Sequence, residues 1–195
     1  MNIKRIRTQD AFTLREVLVA ASISVVISAI MLSFFIQGSD IWQLITNQSD
    51  LRSIARNAMN YMTQELRKAT RSSSEIPSPN LSIPSKPNNH SIDFYLPSDI
   101  DDNGLIVDAI GSTEWDKSNK IQYQYVPGLK QLRRLEKGNQ YIIANNVALI
   151  EFEDNSINPA LYNNELKITL TLEKLTPQNR TVSITLISIV KLRNQ

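Results

Sequence analysis

The sequence predicts an α+β protein in which one long N-terminal α-helix, apolar enough at its start to cross a membrane, packs its later part on an antiparallel β-sheet domain. Three observations carry that expectation. Residues 17–36 read VLVAASISVVISAIMLSFFI, without a charge, a Pro or a Gly. From Ile41 onward apolar residues recur at threes and fours, and no Pro interrupts them before Pro77. From residue 91 the spacing changes to alternation, as in Leu166-Lys-Ile168-Thr-Leu170-Thr-Leu172 and Val182-Ser-Ile184-Thr-Leu186.

The first element is bounded by length and charge. Residues 17–36 match the roughly 20 residues a membrane helix needs. Lys4, Arg5 and Arg7 precede them, and positive charge ahead of an apolar segment holds that end in the cytoplasm, so that everything after residue 36 is expected to be exported. An ordinary secretory signal needs a shorter apolar region that ends in a small-x-small cleavage site, which the run lacks. A plain signal anchor leaves Arg15 and Glu16 unexplained. They stand at the lip of the apolar run, where an ionised group carried to mid-bilayer costs about 2.5–3.5 kcal/mol.

Ala11-Phe12-Thr13-Leu14-Arg15-Glu16-Val17-Leu18-Val19-Ala20, after its basic leader, resembles the prepilin motif of type IV pilins and type II secretion pseudopilins. The resemblance implies cleavage by prepilin peptidase between Ala11 and Phe12, N-methylation of Phe12, and retention of the apolar helix in the inner membrane and then in a filament. It also implies that Glu16 neutralises the N-terminal amine of a neighbouring subunit, with Thr13 and Arg15 in the same assembly region. Physically, a carboxylate at the membrane edge favours docking beside an opposite charge. A pair within the chain, with its own amine or with Arg15, is the alternative. The chain departs from the motif twice: Ala11 replaces the usual Gly, and Arg15 stands at a normally apolar position.

Beyond Gly38 and Ser39, which mark a candidate bend, the stripe Ile41, Leu44, Ile45, Leu51, Ala55, Ala58, Met62, Leu66 and Ala69 predicts an amphipathic continuation. One helix over residues 12–71 would be about 90 Å long, and its outer part must bury that stripe on the following domain. Arg52, Arg56, Arg67, Lys68 and Arg71, interleaved with Asp50 and Glu65 and lacking aromatic companions, read as a solvated face rather than a nucleic-acid surface. Residues 72–90 form a linker rich in Ser, Pro and Asn, and His90 reads as an exposed loop residue. Strands are expected over 91–96, 120–126, 129–135, 140–144, 148–153, 165–174 and 180–192, with hairpin connections at Val126-Pro127-Gly128-Leu129 and Thr176-Pro177-Gln178-Asn179. The division is therefore a leader over 1–11, a helix over 12–71, a linker over 72–90 and an exported sheet domain over 91–195.

Within that domain Glu114-Trp115, Ile121-Gln-Tyr123, Leu132-Arg-Arg134, Phe152 and Val190-Lys-Leu192-Arg193-Asn194 are similar to the J-type minor pseudopilins of type II secretion and the W-type minor pilins. That similarity implies a pilin-like fold and a structural role at a filament tip, with other minor pseudopilins or pilins and the major subunit as partners. Trp42 is expected near the outer membrane interface, and Trp115 in the core or a subunit contact.

Asp99-Ile-Asp101-Asp-Asn103-Gly104-Leu105-Ile106 matches the opening of a calcium loop: oxygen ligands at Asp99, Asp101 and Asn103, a Gly at the turn, and the carbonyl of Leu105. The twelfth place is Ile110 instead of Glu, so Asp108, Glu114 or Asp116 would have to complete a Ca2+ shell. A polar turn is the plain alternative.

Composition bounds the function classes. The 195 residues are 42% hydrophobic and 21% charged, with Lys+Arg 21 against Asp+Glu 19. A net charge of +2 is too small to point to nucleic acid, and loss of Lys4, Arg5, Arg7 and Asp10 with the leader would make the chain formally neutral. The absence of cysteine excludes disulfides, Cys-bearing zinc sites and thiol catalysis. With His90 as the one imidazole, and no Gly-rich phosphate loop, Gly-x-Ser-x-Gly elbow or His-Glu-x-x-His, no catalytic constellation is expected. The remaining readings are a minor pseudopilin, a minor type IV pilin for pilus priming, adhesion or DNA uptake, and a signal-anchored exported enzyme or ligand-binding domain.

Overall fold

The structure, a computed structural model, describes residues 13–69, 81–106, 113–116 and 118–192. The chain separates into two compact units, Met1–Ile45 and Thr46–Gln195, and the boundary falls inside helix α1 (Leu14–Leu66).

In the first unit residues 13–39 are all exposed, including the whole apolar run 17–36. The run is apolar on every side, so it has no wet face to present. Its serines turn inward instead: the hydroxyls of Ser22, Ser24 and Ser33 donate to the carbonyls of Leu18, Ala20 and Ala29 at 2.8, 2.8 and 3.0 Å. That is how a polar side chain is satisfied in a medium that offers no water. Gly38 and Ser39 are both helical.

In the second unit the α1 stretch becomes one-sided. Leu51, Ala55, Ala58, Met59, Met62, Thr63 and Leu66 are buried, whereas Arg52, Arg56, Arg67 and Lys68 are exposed. Ala55 and Ala58, the smallest side chains of that face, are buried with the larger ones. The stripe expected from Ile41 onward takes up its packing only at Leu51, because Ile41, Leu44 and Ile45 are exposed. The helix ends in a tight turn, with the Lys68 and Ala69 N–H groups donating to the carbonyls of Glu65 and Leu66.

All strand pairings are antiparallel. Strands β1 (Leu81–Ser82), β2 (Ser91–Phe94), β3 (Ile121–Val126), β4 (Gln131–Glu136) and β5 (Asn139–Ala144) form one sheet in that order. Strands β6 (Val147–Glu153), β7 (Glu165–Leu175) and β8 (Thr181–Lys191) form a second. The alternation read from sequence places Leu166, Ile168, Leu170 and Leu172 inward, each fully buried, on the same core as Leu51, Met62, Phe94, Tyr123 and Phe152. The strands divide into two sheets, and β5 and β6, though consecutive and separated by a turn through Asn146 in the left-handed region, belong to different ones. The sheets are joined elsewhere. Asn89, 1% exposed, accepts the Phe152 N–H and donates its amide to the Phe152 carbonyl, and His90 Nδ1 lies 2.7 Å from the Ile150 carbonyl. His90 is thus a half-buried clasp between sheets and not a free loop residue.

The turns follow from residues that tolerate positive φ. Pro127–Leu129 forms a single 3-10 turn closed by Lys130 at φ 50°, and Lys137-Gly138 (φ 48° and 81°) closes β4 onto β5. The Thr176–Asn179 connection closes β7 onto β8 with Asn179 at φ 58°.

One polar network ties α1 to the first sheet. The Arg134 side chain, 7% exposed, donates through Nε and Nη2 to Glu65 and through Nη1 to Glu136, while the Tyr123 hydroxyl donates to Glu65 Oε2 at 2.5 Å. Burial and the Glu65 hydrogen bond push the Tyr123 hydroxyl upward, and the Arg134 guanidinium holds the Glu136 carboxyl below the ordinary carboxylate range. A buried cation shared by two carboxylates fixes the helix end in register on the sheet.

Candidate functional site

Two clusters named by the sequence contain side chains that could do chemistry or assembly. The first is the start of α1. Thr13 is its N-cap, and Glu16 is the third helical residue. The Thr13 backbone N–H and hydroxyl donate to Glu16 Oε2 at 2.8 and 3.0 Å, and the Glu16 N–H points back at Thr13 Oγ1 at 3.4 Å. This is a capping box, Thr-x-x-Glu, which satisfies helix N–H groups reciprocally. The Thr13-x-x-Glu16 spacing already contained that signal, and reading the residues only as an assembly motif passes over it. Glu16 Oε1 has no hydrogen-bond partner among the described residues. Arg15 makes no ion pair with Glu16 among the described residues, as expected for consecutive helical residues that do not face each other. Arg15, Glu16, Val19, Ala20 and Ile23 line a shallow open depression. Ala11 and Phe12 lie outside the described residues.

A second depression on the same unit lies among Phe34, Phe35, Gly38, Ser39 and Trp42. Nothing approaches within 4 Å of where a Gly38 Cβ would stand. Trp42 is exposed, whereas Trp115 is buried in the domain.

The second cluster is the acidic loop after β2. Asp99 curls the chain by accepting the Asn103 and Gly104 N–H groups at 3.2 and 2.7 Å, and Asp102 and Gly104 take φ 57° and 82°. Topology then adds a residue from further along the chain. The Pro97–Trp115 bridge and the hydrogen bonds Ser98 N–H to Glu114 O and Glu114 N–H to Ile106 O bring Glu114 beside the loop. Carboxylate oxygens of Asp99, Asp101 and Glu114 lie within 4.8 Å of one another, a spacing that could hold a divalent cation. Of the other residues named from sequence, Asn103 uses its side chain inside the loop, donating to Asp101 Oδ2 and accepting the Leu105 N–H, both at 2.7 Å. Asp116 faces Ser118 and Lys137 instead, and Asp108 and Ile110 lie outside the described residues.

A long N-terminal helix, apolar on all sides at its start and packed beyond Leu51 on antiparallel sheet, is a pilin-like α+β architecture with a stretch suited to a single-pass membrane anchor. No protein-family model, curated protein or solved structure matches the chain.

Proposed function

We propose that this protein is a membrane-anchored filament subunit, and in particular a minor pseudopilin of a type II secretion system. The carrying observation is that residues 17–36 are helical, uncharged and exposed on every side, while the same helix goes on to form part of the core of a folded domain. A helix of that kind needs lipid or neighbouring helices around its first part, and a filament subunit meets both in succession. In this reading prepilin peptidase removes residues 1–11, Phe12 becomes the N-methylated end, and the Glu16 carboxylate receives a neighbour's terminal amine. The protein then works mechanically at the tip of the pseudopilus, with other minor pseudopilins and the major subunit as partners, and carries no catalytic activity. Glu16→Ala is expected to leave membrane insertion and the domain's unfolding midpoint unchanged while reducing incorporation into filaments. Normal incorporation would defeat the assignment of Glu16.

Asp99, Asp101 and Glu114 are, in the same proposal, a calcium site that stiffens the exported domain, because three carboxylates and a Gly-turned loop suit a hard cation that prefers oxygen ligands. Millimolar calcium is expected to raise the unfolding midpoint, and Glu114→Gln to remove most of that rise. An unshifted midpoint would sink the site.

A further inference from the structure

Sheet edges in this domain are treated unequally, and the exception is informative. β1 is only two residues long. β5 has six residues, and its pairing with β4 shifts register between Leu132 and Arg133. The open side of β6 is occupied: the Phe152 N–H donates to Asn89 and the Val147 N–H to Lys130. These are the usual ways in which a sheet avoids pairing with another chain.

β8 has none of them. It runs eleven residues in unbroken register with β7, contains no Pro, and carries its one charge, Lys191, at the very end. It is the outer strand of its sheet, and no strand among the described residues covers its far side. One parity of an antiparallel strand bonds its neighbour, and the other aims N–H and C=O groups at the open edge. The side chains at that edge are adhesive rather than repellent: Ile187 and Ile189 are 62% and 54% exposed, and Ile184 and Leu186 are only partly buried.

We propose that β8 is a strand-addition site for an extended segment of a different polypeptide, aliphatic at alternate positions and acidic at its ends. Backbone groups spaced along an open edge are satisfied together only by another extended backbone, which fixes the conformation of the occupant. Ile184 and Leu186 on one face, and Ile187 and Ile189 on the other, call for aliphatic cross-strand partners. Arg180 and Lys191, at the two ends of the strand, are both exposed and take part in no ion pair among the described residues, which sets the sign of the flanking charge. A second copy is the obvious rival, because the burial pattern of β8 reads the same in both directions about Leu186. Antiparallel pairing of two copies about Leu186, however, would set Lys191 of each beside Arg180 of the other, placing like charges together at both ends. The choice of a foreign strand therefore rests on these two cations, and the open edge does not.

The test uses the full chain in detergent micelles and a labelled synthetic peptide carrying residues 181–190 between glutamates. Such a peptide has the required alternation and is free of any anchor. Saturable binding is expected, with slowed hydrogen exchange at alternate β8 amides and about tenfold weaker binding to an Ile187→Ser, Ile189→Ser variant. The same peptide N-methylated at alternate backbone nitrogens should not bind. Absence of binding, or binding that leaves β8 exchange unchanged, would overturn the proposal. Dimerisation of the solubilised chain that this double variant abolishes, with no peptide binding, would give the edge to a second copy and likewise overturn the proposal.

Discussion

Two stretches of one helix, residues 17–36 and 51–66, are both rich in aliphatic side chains and meet opposite surroundings. Every residue of the first is exposed, whereas Leu51, Ala55, Met62 and Leu66 of the second are fully buried. The difference is in pattern as well as in amount. The first stretch is apolar around its whole circumference, so no fold of a single domain could cover it without covering everything. The second confines its apolar residues to one face and puts Arg52, Arg56 and Arg67 on the other, which a sheet can cover from one side. Hydrophobicity thus tells how much needs covering, and its distribution tells what can cover it.

The sharpest way to break this comparison is to cut the same kind of side chain in each stretch. Met62→Ala is expected to destabilise the domain by about 2–5 kcal/mol, since it opens a cavity at a fully buried position. Val26→Ala should leave the thermal midpoint of the domain unmoved, because Val26 is exposed and is not part of the core cluster; equal shifts would contradict the division. A smaller effect is expected at the tie between the second stretch and the first sheet. Glu65→Gln keeps the shape but weakens the hydrogen bonds from Arg134 and Tyr123, at a cost of about 1.5–3 kcal/mol in denaturant titration.

Acid sensitivity should also belong to the domain alone. Lys86 and Lys167 hold the buried Glu153 carboxyl down to about 2, well below its ordinary value of 4.5. A depressed carboxylate contributes stability that is complete above about pH 5 and is lost as pH falls toward 2, where the folded form finally takes up its proton. Lys167→Ala should flatten the fall in unfolding midpoint across that window. The smallest effect is expected at the start of the helix: Thr13→Ala removes the capping hydroxyl, costing about 1 kcal/mol locally, visible as faster amide exchange in the first turn with no change in the domain.

Some of this was legible in the sequence because local pattern and packing agree. The alternation in β7 fixed which of its residues face the core, and the three-four spacing selected Leu51, Ala55, Ala58, Met62 and Leu66. The same spacing misplaced Ile41, Leu44 and Ile45, since periodicity shows that a face needs cover and not where the cover ends. The acidic loop was visible as Asp99, Asp101 and Asn103, but Glu114 joins it through the Pro97–Trp115 bridge, a long-range pairing that no local spacing encodes. His90 and Asn89 looked like linker residues because the strand they clasp, β6, lies about sixty residues later in the chain. The open edge of β8 was likewise invisible, for strand order is a property of topology.

The central claim is that residues 17–36 serve first as a membrane anchor and then as the assembly helix of a filament subunit. Intact-mass and N-terminal peptide analysis of the protein extracted from membranes of a cell containing prepilin peptidase tests it most directly. The account predicts a chain that begins at Phe12 with a methylated amine and retains residues 17–36. A chain that keeps Met1, or one cut after the apolar run, would contradict it.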